Sequence, residues 1–269
     1  MDLVLDPKGP AASLAPPARL PPARLPPARL PKHASLFLDF DGTLVDLAER
    51  PDAVRASNRV RAIVTTLNQR LQGRLAIVTG RDAAFVRAQL GLDADGAEAV
   101  SIAGSHGQEF HFADGTTSIP EPPEGLASIA DALASHAAAH DGLLVERKPL
   151  GVALHYRLVP ELEGWSRDLA ELLAQAGGLH VQPGKMMVEL RAPGGDKGSA
   201  VARFLETPPF AGTVPVMLGD DLTDEPGFAA AAAHDGWGVL VGPARPSAAR
   251  YRLAGVAHAL DWLEAVAWA

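Results

Sequence analysis

The 269-residue chain is long enough for one sizeable hydrophobic core, or for a core carrying a smaller inserted module. It has no cysteine, which excludes disulfides, thiolate metal sites and a thiol nucleophile and fits a reducing compartment. With 24 Lys and Arg against 32 Asp and Glu the net charge is −8, the wrong sign for a nucleic-acid-binding face.

From the N-terminus, Met1-Asp2-Leu3-Val4-Leu5-Asp6 lacks the basic start and long apolar stretch of a signal peptide. No later apolar run approaches the ~20 residues that cross a bilayer, so a cytoplasmic chain without membrane association is expected. Pro16-Pro17-Ala18-Arg19-Leu20 then repeats as Pro21 to Leu25 and as Pro26 to Leu30. Prolines at this density build neither helix nor sheet ladder, so residues 1–33 are expected to form a disordered, polyproline-like tail that chemistry does not need. A partner domain could read such a repeat, but a solvated linker is the simpler reading.

Leu36-Phe37-Leu38-Asp39-Phe40-Asp41-Gly42-Thr43-Leu44 is the most informative stretch. A short apolar strand delivers two carboxylates, two residues apart and so on one side, followed by a glycine that lets the chain turn sharply. Crowding like charges there costs free energy unless a cation or a reaction needs them. Val60, Ile63, Val64, Leu67 and Leu71 follow at helical spacing. Leu75-Ala76-Ile77-Val78-Thr79-Gly80-Arg81 is a second strand ending in a hydroxyl, a glycine and a cation. A helix capped by Asp82, a strand at 100–104 and a hairpin turning at Asp114-Gly115 come next. After an intervening module the pattern resumes with a helix from about Asp196 to Leu205, opened by Lys197, and the strand 214–218 running into Asp220, Asp221 and Asp224. A helix over 228–233, a strand at 237–241 and a C-terminal helix close the chain.

Alternating strands and helices imply an α/β fold with a parallel sheet and right-handed crossovers, and ligands outside the carboxyl ends of its strands. Asp39, Asp41, Thr79 and Asp220 then share one rim. The middle of the chain differs: helix, hairpin, helix, hairpin. On its strands (143–148, 151–158, 179–182 and 186–191) Glu146 and Lys148 share a face, as do His155 and Arg157, and Lys185, Glu189 and Arg191. The other parity is apolar, with Arg147 the exception. One face packs on the module's helices; the other, charged with both signs, is a solvated surface or a surface that binds hydroxyls. The expected division is tail 1–33, core 34–113, cap 114–193 and core 194–269.

In order, the segments DFDGTL, ERPDAV, AGSHG, HYR, GDKG and GDDLTDE resemble the motifs of the haloacid dehalogenase-like phosphohydrolases, and within them the trehalose-6-phosphate phosphatases, over roughly residues 34–265. The resemblance implies a Rossmann-like core with an inserted cap of type IIB. It further implies hydrolysis of trehalose 6-phosphate, a small sugar phosphate, to trehalose and phosphate, and functional pairing with a trehalose-phosphate synthase. Asp39 would be the nucleophile, giving an aspartyl-phosphate, and Asp41 the general acid and base. Thr79 and Lys197 would hold the phosphate oxygens. Mg²⁺ would sit on the Asp39 side chain, the Asp41 carbonyl and Asp220, with Asp221 orienting ligands from behind. Asp224 reads equally as a second such acid or as a helix N-terminal residue. Glu146, Lys148, Arg157, Lys185 and Glu189 match positions that contact the sugar. Arg81 either binds substrate or braces its motif, and His106, between Gly104 and Gly107, is a contact or a turn residue. Pro226-Gly227 is expected to delay the next helix. Rival readings are a sucrose-phosphate phosphatase of the same architecture and a non-catalytic phosphosugar-binding regulator.

Overall fold

The computed structural model describes residues 24–48, 50–93 and 99–268. The elements in chain order are β1 (Ala34–Leu38), α1 (Asn58–Arg70), β2 (Leu75–Val78), α2 (Ala83–Leu90), β3 (Ser101–Gly104), β4 (Glu109–His111) and β5 (Thr117–Ser118). Then come α3 (Leu126–Ala137), β6 (Leu144–Lys148), β7 (Gly151–His155), α4 (Glu163–Gly177), β8 (His180–Gly184) and β9 (Met187–Arg191). The chain ends with α5 (Lys197–Leu205), β10 (Val214–Gly219), α6 (Glu225–Ala233), β11 (Trp237–Val241), β12 (Tyr251–Leu253) and α7 (Val256–Trp268).

Two sheets result. The larger has the order β12-β11-β10-β1-β2-β3-β4-β5, parallel from β12 to β3 and antiparallel beyond. Its inner strands are buried on both faces, so they read as unbroken apolar runs. Alternate residues serve opposite layers. Leu36, Leu38, Ile77 and Val216 pack with α1, α2 and α7. Phe37, Ala76, Val78 and Met217 pack with Phe204 of α5 and Phe228 of α6. The second sheet, β6-β7-β9-β8, is antiparallel and packs α3 and α4 through Leu133, Val152, Leu154, Leu169, Val188 and Leu190.

The elements start where their end groups permit. Ser57 caps α1 by accepting from Val60 N, and Asp82 caps α2 by accepting from Phe85 N at 2.7 Å, as expected. Asp196 and Ser199 form a reciprocal capping box that starts α5 at Lys197. Pro226 does not delay α6, which begins at Glu225; a first-turn proline lacks only an N–H that has no helical partner there.

Several expectations are corrected. Residues 24–33, counted with the tail, run along the core. Arg24 O accepts from Arg252 N of the edge strand β12 at 3.1 Å, and Pro27 O from Trp262 Nε1 of α7 at 2.9 Å. Pro26 is buried and Leu30 packs on the core. Proline keeps its carbonyl acceptor while donating nothing, which suits a segment laid along a sheet edge. The rest of that expectation, residues 1–23, lies outside the described residues. The expected core–cap division at 113/114 cuts the β4–β5 hairpin, whose second strand still belongs to the larger sheet. Strand β7 stops at His155, so Arg157 and Leu158 lie in a turn, and Leu158 is 48% exposed. Lys185 and Met186 form the turn between β8 and β9, with Met186 at φ +60°. Leu172, three residues after the buried Leu169, is 66% exposed on α4.

Candidate active site

The carboxyl ends of β1, β2, β3 and β10 meet on one rim of the larger sheet. Asp39 and Asp41 follow β1, Thr79 and Arg81 follow β2, His106 follows β3, and Asp220 follows β10. All of them line one cleft, together with Lys197, Asp221 and the charged face of the smaller sheet. Gly42 makes the convergence sterically feasible. Its φ is +81°, and a β-carbon there would lie 2.0 Å from Asp220 Oδ2.

Asp39 is 3% exposed; its Oδ1 accepts from Lys197 Nζ at 2.7 Å and its Oδ2 from Thr43 Oγ1 at 3.2 Å. Lys197 Nζ also donates to Asp224 Oδ1 at 2.7 Å. Asp224 is fully buried and its Oδ2 accepts from the backbone N–H groups of Asp220 and Asp221, both at 2.9 Å. Its carboxylate therefore braces the loop after β10, and Asp224 also stands at the N-terminus of α6, to which its side chain gives no cap bond. Asp221 caps the short 3₁₀ turn at 222–224 by accepting from Leu222 N.

Three acids, Asp39, Asp220 and Asp224, each offer a carboxylate oxygen within 4.8 Å of the others. Burial pushes Asp39 well above the usual carboxylate range despite the Lys197 ammonium, and the neighbouring carboxylates add to the rise. Burial likewise lifts Asp220 to about 6 against the pull of Lys185. Lys197 is held in its charged form: burial disfavours the ammonium, but Asp224 and Asp39 outweigh it. A buried cluster with this acid excess could hold a metal ion through hard oxygen donors.

Arg81 grips Asp41 with two parallel bonds, Nε to Oδ2 at 2.8 Å and a terminal nitrogen to Oδ1 at 2.9 Å. Thr79, 1% exposed, accepts from Arg81 N at 3.1 Å through its hydroxyl. The smaller sheet closes the cleft from above. Glu146 stands 3.7 Å from Arg81 and accepts from or shares a proton with His155 Nε2 at 2.8 Å. Lys148 pairs with Glu189 and reaches Gly80 O at 3.3 Å. His106 Nε2 lies 3.6 Å from Glu189, and a β-carbon on Gly80 would meet its ring at 2.5 Å, so Gly80 makes room for it. Burial would raise Glu189, but Lys148 and His106 hold it down at about 2. Burial lowers His106. Lys185 pairs with Asp220, and Arg157 donates to Lys185 O at 3.0 Å.

Every candidate residue lines the cleft except Asp224, which lies directly behind it. Sequence reasoning passed over Thr43, Gln182 and His155 as site residues, along with the apolar wall from Leu47 and Val54. Position on the charged strand face was available as a signal for His155; Gln182 is paired with Glu189 only through the register of β8 and β9.

This fold, a mostly parallel sheet with paired aspartates at the end of its central strand and an inserted α+β cap, is that of the haloacid dehalogenase-like hydrolases. A family profile described as Trehalose-phosphatase matches residues 37–257. The chain is 39% identical over 215 residues to a probable trehalose-phosphate phosphatase of Sinorhizobium fredii, covering 79% of each. It is 36% identical over 233 residues to the trehalose-6-phosphate phosphatase of Escherichia coli, covering 86% of this chain and 85% of the relative. It superposes on the crystal structure of a trehalose-6-phosphate phosphatase related protein with TM-score 0.73 at 27% identity, covering 87% of this chain and 96% of the other. The C-terminal domain of a Candida albicans trehalose-6-phosphate phosphatase shares the fold, with TM-score 0.75 at 22% identity and 88% and 92% coverage. The chain belongs to the trehalose-phosphatase family and is a phosphatase.

Proposed function

We propose that this chain hydrolyses trehalose 6-phosphate to trehalose and inorganic phosphate, with Asp39 as nucleophile. The observation that carries the reading is the meeting, in one cleft, of Asp39, Asp41, Lys197 and Asp220 on the core rim with Glu146, Lys148, Lys185 and Glu189 on the cap. The first group suits a phosphate and the second a sugar.

Asp39 attacks phosphorus, the bond to the sugar oxygen breaks, and a proton from Asp41 goes to that oxygen. Asp41 then takes a proton from the water that attacks the aspartyl-phosphate, releasing phosphate and regenerating the Asp39 carboxylate. Lys197 and Thr79 balance charge on the non-bridging oxygens. Arg81 occupies both Asp41 oxygens, so the sugar oxygen has to take its place on one of them, and Glu146 stands ready as the alternative partner of Arg81. Magnesium fits the donor set: Asp39 and Asp220 side chains would hold it with the Asp41 carbonyl, while Asp224, whose oxygens already serve Lys197 and two backbone N–H groups, positions Asp220. When bound it would neutralise phosphate charge that otherwise repels a carboxylate nucleophile.

Glu146, Lys148 and Glu189, with Arg157 and Lys185 at the turn ends of the cap strands, give sugar hydroxyls both donors and acceptors. The cytoplasm is the proposed compartment, and a trehalose-phosphate synthase the proposed source of substrate. Phosphate release across a panel of sugar phosphates, with and without magnesium, tests this. Trehalose 6-phosphate should be the best substrate and magnesium required. A preference for sucrose phosphate or glucose 6-phosphate would overturn the substrate, and no turnover of any would favour a phosphosugar-binding regulator.

A further inference from the structure

The turn between β8 and β9 brings a cap lysine onto an acid of the core rim. Lys185 Nζ is bonded to Asp220 Oδ2. That oxygen faces the loop after β1, since it is the atom a β-carbon on Gly42 would strike. An oxygen of the same carboxylate lies within 4.8 Å of one from Asp39, where the proposed magnesium site lies.

We infer that Lys185 and a divalent cation are exclusive partners of Asp220, so that metal binding unlatches the β8–β9 tip from the core. The inference rests on the metal reading above. An ammonium at hydrogen-bonding distance and a metal ion at ~2.1 Å from one carboxylate oxygen are two cations in near contact. One has to leave, and Lys185 is built to do so. Its side chain is 41% exposed against 6% for Asp220, and it sits on a two-residue turn at the cap edge. An exposed lysine leaves an ion pair at small cost, whereas Asp220 is fixed through its own N–H to Asp224. The turn has a second anchor, Arg157 to Lys185 O and Tyr156 N to Met186 O, which keeps the freed lysine over the cleft. Released from Asp220, the ammonium is then available to an incoming sugar phosphate. The cation thus prepares both halves of the site: it occupies the rim acids and frees a cap residue for the substrate.

The test measures magnesium binding by titration calorimetry, and amide hydrogen exchange at residues 184–187 with and without magnesium. The proteins are wild type, Lys185→Met, Lys185→Gln and Asp220→Asn, each checked for native circular dichroism. Both Lys185 variants should bind magnesium about fivefold more tightly, the factor expected for removing a partly exposed competitor. Magnesium should speed exchange at the tip of wild type, while in the variants exchange is already fast and insensitive to the metal. Equal or weaker affinity in both Lys185 variants, or a wild-type tip that ignores bound magnesium, overturns the inference alone. Failure of wild type to bind magnesium, or undiminished binding by Asp220→Asn, overturns the metal reading and the inference with it.

Discussion

At the scale of single residues, the site is an acid cluster whose charge is only partly offset by the chain's own lysines. Asp39→Asn is nearly isosteric and keeps a polar partner for Lys197 and Thr43, so the fold should persist while turnover falls by orders of magnitude. Wild-type-like steady turnover in a clean preparation would sink Asp39 as nucleophile. Asp41→Asn should lower kcat for trehalose 6-phosphate by about 10²–10⁴-fold, with a smaller loss on an aryl phosphate whose leaving group needs no proton. Asp220 gives a pH dependence. Burial raises it from 3.8 to about 6, so its contribution to stability is fully present below 3.8 and is lost as pH rises through about 6. Magnesium would offset that loss, and protons compete with it below about 6. The rise in Tm on adding magnesium should therefore be larger at about pH 7.5 than at about pH 5, as differential scanning calorimetry can check. An equal rise at both would remove Asp220 from the metal set.

At the scale of elements, the strands carrying the chemistry were legible because they are buried on both faces and end in residues that a buried strand otherwise avoids. Leu36–Asp41 and Val214–Asp220 need no tertiary context to be noticed. The cap at Asp82 was equally local. Turn ends were not. Arg157 and Lys185 continue the alternation of their strands in sequence, yet both lie in turns, because only the observed register fixes where the ladders stop. The docking of residues 24–30 was also invisible, since it depends on an edge strand and an α7 tryptophan more than 200 residues away. That docking changes what truncation should do. Removing residues 1–31 should lower Tm by about 4–8 °C relative to removing 1–23, from two hydrogen bonds and the burial of Pro26 and Leu30. Identical melting of the two truncations would show that the segment contributes nothing.

At the scale of the whole molecule, core and cap are joined across the cleft by polar contacts. Glu146 approaches Arg81, Glu189 approaches His106, Lys148 reaches Gly80 O, and Lys185 meets Asp220. Each pairs a residue of the core with one of the cap. A bound disaccharide phosphate would replace these contacts with its own hydroxyls and phosphate oxygens, so remote binding energy can help assemble the reacting geometry. On the proposed reading the core carries phosphoryl transfer and the cap substrate choice. The direct test is kcat/KM of wild type and Glu146→Ala on trehalose 6-phosphate and on a small aryl phosphate that does not reach the cap. The expected result is a loss of about 10²-fold on the sugar phosphate with the aryl phosphate changed by less than about threefold. Equal losses on both would contradict it, and would make Glu146 a support for Arg81 and Asp41 with no part in reading the sugar.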